Sequence, residues 1–99
     1  MKLKDIETTL RQATGSEAVF TLLAELLEIA KGTLGDPRFS AERLNQLAGY
    51  LAEIRHLLET IGNDRVTPAV SRASKIMAAR YRDIEGRVKE LRNDRMAGI

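Results

Sequence analysis

Between Leu44 and Ile61 an aliphatic residue recurs at steps of 3, 4, 3, 4 and 3: Leu44, Leu47, Leu51, Ile54, Leu58 and Ile61. Only a helix gathers all six on one side, because a strand would scatter them over both faces. A heptad this strict packs along a neighbouring helix at a shallow angle, so the rest of the chain has to supply that neighbour. Tyr50 and Leu57 widen the stripe on one flank. Just upstream, Ser40 is a suitable N-cap, and Phe39 is placed to staple onto Leu44 across the first turn.

The remaining segments have the same helical period. Leu3, Ile6, Leu10 and Ala13 line a short first helix. TGSE at 14–17 matches a capping box, with Thr14 as N-cap and Glu17 reaching back. The second helix carries two adjacent apolar stripes: Val19, Leu22, Leu26, Ile29 and Phe20, Leu23, Leu27, Ala30, Leu34. So wide an apolar face predicts the most buried helix of the fold, with Glu25 and Glu28 keeping its one wet edge soluble. Gly32, Gly35 and Asp36-Pro37 break the chain, as does GND at 62–64. Thr67 and Pro68 then open a fourth helix, striped by Val66, Val70, Ala73, Met77, Tyr81, Ile84, Val88 and Leu91. The doubled step of 4 at Met77 and Tyr81 is a stutter that locally straightens the packing.

These signals predict an all-α, four-helix bundle-like domain with a short first helix and a long C-terminal fourth. The helices are expected at about 3–13, 16–32, 40–61 and 67–94, in a single domain over 1–99. Ninety-nine residues with 43% hydrophobic content suit one small core. Lengths then matter: at roughly 1.5 Å per residue the second helix reaches about 25 Å, the third about 33 Å and the fourth about 43 Å. The stripe at Ile84, Val88 and Leu91 then needs a cover, either the first helix or a second copy or another protein, and is read as a seam for self-association or for a partner.

Little in the chain can carry chemistry. There is no cysteine, and the single histidine, His56, excludes a triad or a multi-histidine metal site within one chain. Glu53 and His56 match the Glu-x-x-His pair of di-iron bundles, but the second pair is missing and the heptad puts both residues away from the apolar seam. In GTLGD, Asp36 and Pro37 follow Gly35 where a phosphate-binding loop has its lysine and hydroxyl residue. The expectation is a non-enzyme with no metal and no cofactor. AVFTLLAELLEIA is interrupted by Glu25 and Glu28 and is too short to span a bilayer, and acidic residues follow the N-terminal lysines where a signal peptide has its apolar run. No membrane is expected as partner, and the location is read as cytoplasmic.

Charge is the feature left to interpret. Residues 1–64 hold seven basic and ten acidic side chains, whereas 65–99 hold nine basic and four acidic. Within RVTPAVSRASKIMAARYR, at 65–82, no acid offsets the five cations, and Arg72 and Lys75 stand in the first turns of a helix, where the macrodipole repels positive charge. The segment TPAVSR at 67–72 resembles the opening of the recognition helix in LysR-type transcription regulators. That resemblance implies that Thr67, Ser71, Arg72 and Lys75 touch phosphates or base edges. It covers six residues, and Ser74 stands where that motif has an apolar residue. Lys75, Arg82 and Lys89, seven apart, form a row that could follow a phosphate backbone, flanked by Arg72 and Arg92. The small residues Ala69, Ala73, Ser74, Ala78 and Ala79, with Gly86, would equally let a partner helix approach closely.

The reading is a protein-interaction module (adaptor, chaperone, inhibitor or regulatory subunit) docking through its fourth helix, as a homodimer or other homo-oligomer. Its partner is expected to be another protein with an acidic or grooved surface. The contact residues expected are Arg72, Lys75, Arg80, Arg82 and Lys89, with nucleic acid as the alternative partner of the same patch.

Overall fold

The computed structural model describes residues 2–12, 14–64 and 66–97, and all of its regular structure is helical. Four helices follow in order: α1, Leu3–Gln12; α2, Ser16–Thr33; α3, Ala41–Asn63; and α4, Pro68–Ala97. Ala13, the expected end of the first stripe, and Arg65 lie outside the described residues.

Capping explains two of the three later starts. Ser40, in extended conformation, accepts the Arg43 backbone N–H at 3.2 Å and opens α3. Thr67 accepts the Val70 N–H at 3.3 Å, with Pro68 as the first helical residue of α4. The capping box expected at Thr14 does not form. Gly15 precedes α2 with φ of 77° and no side-chain cap. The turn out of α1 needs a left-handed residue there, which glycine adopts without steric cost.

α3 and α4 form an antiparallel hairpin, and theirs is the largest interface between helices. Cross-links mark its whole length. Ser71 donates to the Gly62 carbonyl at 2.6 Å near the turn, Arg55 meets Glu85 in the middle, and Arg92 donates to Asn45 at 2.7 Å near the open end. The six heptad residues of α3 supply the seam, five fully buried and Leu47 half-buried. Facing them on α4 are Val70, Met77, Tyr81, Ile84 and Val88 with the small residues Ser74 and Ala78. The molecule takes its elongated shape, 48 × 20 × 18 Å, from this pair.

The seam expected to lie open on α4 is therefore closed within the chain. Ile84 and Val88 are buried in the core and Leu91 is packed against it. α3 runs back along α4 past the level of Arg92, which meets Asn45 four residues after the start of α3, so the two helices overlap over almost their whole length. Arg95 anchors the last turn of α4: it donates to the carbonyls of Asp36 and Pro37, both at 2.9 Å, and to that of Phe39. The row of small residues is also partly used up inside the molecule, since Ser74 and Ala78 are buried.

α2 lies along α4, and α1 packs on both α2 and α3. Tyr81 ties α4 to α2, its hydroxyl donating to the Leu23 carbonyl at 2.6 Å. The expectation that α2 is the most buried helix fails. Val19, Leu23, Leu27 and Ala30 are buried, but Leu22 and Leu26 are half-buried and Ile29 is 67% exposed. The cause is the brevity of α1. Its end is fixed at the end of α3 by Arg11, which donates to Asp64 at 2.6 Å, and ten residues reach back only about 15 Å.

Close approach at the hairpin turn needs one particular glycine. A Cβ on Gly62 would stand 2.7 Å from the Lys75 Cγ and 3.5 Å from the Ser71 carbonyl, whereas one on Gly49 or Gly86 would meet nothing within 4 Å. Gly49→Ala and Gly86→Ala are thus expected to raise stability by about 0.5–1 kcal/mol each, the ordinary helical gain. Gly62→Ala is expected to lose that gain to the displaced Lys75 stem. Denaturant titration of the three variants checks the contrast, and equal gains at all three would refute it.

Candidate functional site

The cations singled out on α4 separate into two groups. On the side facing α3, Arg82 reaches Glu59, and Lys89 donates to Glu85 at 2.7 Å. Between them Arg55 donates to Glu85 at 2.6 Å through Nε and to Glu59 at 3.1 Å. The result is a continuous chain of alternating charge, Arg82, Glu59, Arg55, Glu85 and Lys89, laid across α3 and α4. Arg82 and Lys89 therefore do not form a free basic row with Lys75. Part of the acid balance of residues 1–64 serves to neutralise the basic helix of the same molecule.

Glu85 lies in the interface with 5% of its surface exposed. Burial pushes its carboxyl up, but hydrogen bonds from Lys89 and Arg55 outweigh that and hold it below its ordinary 4.5. Glu59 is held low for the same reasons, its cations being Arg82 and Arg55. A carboxyl lowered by folding stabilises the fold above its unfolded value and loses that contribution as pH falls through the folded one. Thermal midpoints are expected to stay level from neutral pH to about pH 5 and to drop below about 4.5. Glu85→Gln is expected to lower stability at neutral pH by about 1–3 kcal/mol and to flatten the acid limb. An acid limb as steep as in the unaltered protein would refute the assignment.

The second group points outward. Arg72, Lys75 and Arg80 are exposed, and Ile76, between Arg72 and Arg80 at four-residue steps, is 59% exposed. Residues four apart on a helix are neighbours, so these form one ridge, cation, isoleucine, cation. Among the described residues, Arg72 and Lys75 take part in no ion pair, and Arg80 reaches Glu28 only at 4.0 Å with both side chains largely exposed. An exposed pair of that length contributes little. The Lys75 stem lies over Gly62, and a cleft of about 420 Å³ opens beside it, lined by Glu59, Asn63, Lys75, Ala78, Ala79 and Arg82.

Composition and capping pointed to the basic start of α4, but Ile76 was missed because it falls outside the apolar stripe. An isoleucine on the polar side of an otherwise amphipathic helix is the signal that marks it. Glu53 and His56 are exposed on α3, and among the described residues no cluster of three or more histidine, cysteine, aspartate or glutamate residues could hold a metal ion. No described helix is long and apolar enough to cross a membrane. No protein family, curated protein or solved structure matches the chain.

Proposed function

We propose that this chain is a non-enzymatic interaction module that docks a protein helix bearing acidic residues onto the outward ridge Arg72, Ile76 and Arg80, with Lys75 at its edge. The observation that carries the proposal is Ile76, 59% exposed between two arginines whose charge the neighbouring helices leave mostly unneutralised. Cations at the start of a helix oppose its dipole, so an acidic partner relieves them, and an isoleucine leaving water contributes roughly 1.5–3 kcal/mol. The cytoplasm is the setting that fits a chain without cysteine.

A photo-cross-linking side chain at position 76 tests the reading in the native cells. Expected are protein adducts that disappear with Arg72→Glu and Arg80→Glu, and that survive nuclease. Adducts unchanged by the charge reversals would overturn it. Nucleic acid is the alternative occupant of the same ridge, and it would show as retention on DNA that falls steeply with salt.

A further inference from the structure

We propose that the ridge of one copy docks onto the seam between α2 and α3 of another copy. The proposal rests on the docking role given above to α4 and names its partner. The seam exists because α1 is short. α1 ends at Gln12, held beside Asp64 at the end of α3, and covers the facing edges of α2 and α3 only near that end of the bundle. Beyond it the two helices present Ile29, 67% exposed, Tyr50, 42% exposed, and the half-buried Leu26 and Leu47. Both sides turn away from α4 and towards α1, which packs on both helices: Tyr50 lies across α3 from Glu59, which meets Arg82, and Leu26 lies across α2 from Glu28, which approaches Arg80.

The charges beside this apolar patch are acidic. Glu25 lies one turn before Ile29, and Glu53 one turn after Tyr50, so each adjoins an exposed apolar side chain. Both are exposed, and neither takes part in an ion pair among the described residues. The ridge on α4 is the inverse pattern, Ile76 flanked by Arg72 and Arg80. Docking one on the other places isoleucine on isoleucine and tyrosine, and brings two arginines to two glutamates. Desolvated in that contact, charge pairs are worth more than on an open surface. Ridge and seam are different surfaces, so the contact is heterologous and closes either reciprocally in a pair or as a ring.

Light scattering of the purified chain reads the outcome. At high micromolar concentration the expected mass is at least twice the chain's 11.0 kDa. Ile76→Asp is expected to weaken association at least tenfold, with the helical circular dichroism unchanged. Two charge-reversed forms sharpen the test: Arg72→Glu with Arg80→Glu, and Glu25→Arg with Glu53→Arg. Each alone should run as a monomer, because its ridge and seam then carry like charge. An equimolar mixture should associate again, because each ridge then meets an opposite seam. An unaltered chain that stays monomeric overturns the proposal, and so does a mixture that fails to associate. Cross-links from position 76 to a different protein, with a monomeric chain, would leave the docking role of α4 standing and remove only the second copy. A monomeric chain with no protein adducts would remove both.

Discussion

Val88→Asp is expected to unfold the protein at room temperature rather than to split an assembly. Val88 is fully buried on the face of α4 turned to α3, and the buried polar or charged residues among those described, Ser74 and Glu85, include no cation. A carboxylate placed there loses its hydration without a partner, a cost of several kcal/mol. A domain of this size has about 5–15 kcal/mol in total, so that substitution together with the lost packing removes most of it. Circular dichroism of the purified variant should show loss of helix or a very low thermal midpoint. A folded, helical monomer would mean that Val88 faces a partner and that α3 does not close over it. Leu91→Asp provides the graded comparison: Leu91 is only half-buried, and its substitution is expected to cost less.

Tyr81→Ala is the second large effect. The side chain is wholly buried where α4 meets α2, and its hydroxyl satisfies the Leu23 carbonyl. Truncating a buried aromatic costs about 3–5 kcal/mol through lost transfer energy and the cavity left behind. Tyr81→Phe separates the two contributions, since it keeps the ring and removes only the hydroxyl's hydrogen bond, worth about 0.5–1.5 kcal/mol, while the Leu23 carbonyl keeps its bond within α2. Because α2 contacts α4 through few other fixed points, Tyr81→Ala should loosen α2 before the hairpin melts. Hydrogen exchange can follow this directly: amides of α2 are expected to lose protection, while those of α3 keep it. Uniform loss across all helices would show that α2 and the hairpin unfold as one unit.

Much of this architecture was legible beforehand, for identifiable reasons. The heptad of α3 and the stripe from Val70 to Leu91 are properties of local spacing, and local spacing survives folding. Ser40, Thr67 and Pro68 act on backbone groups within three residues of themselves, so their roles could be read without knowing any neighbour. Thr14 failed by the same logic, because the geometry of the turn at Gly15 depends on how α1 and α2 meet. The seam at Ile84, Val88 and Leu91 failed because helix lengths alone do not say where antiparallel helices overlap. The basic patch was half legible. Arg72, Lys75 and Arg80 stay outward, but Arg82 and Lys89 found Glu59 and Glu85.

The amino-acid sequence by itself determined that this chain is helical, where its helices begin, and which residues of each helix share a face. Those are consequences of period and capping, both local. Tertiary structure alone decided which of those faces is covered. It pairs side chains 23 and 30 residues apart into one charge network, and it leaves Ile29, Tyr50 and Ile76 in water because α1 is too short to cover the first two and no helix faces the third. A helix's own sequence specifies the face that needs covering. Whether anything covers it depends on the length and placement of other segments.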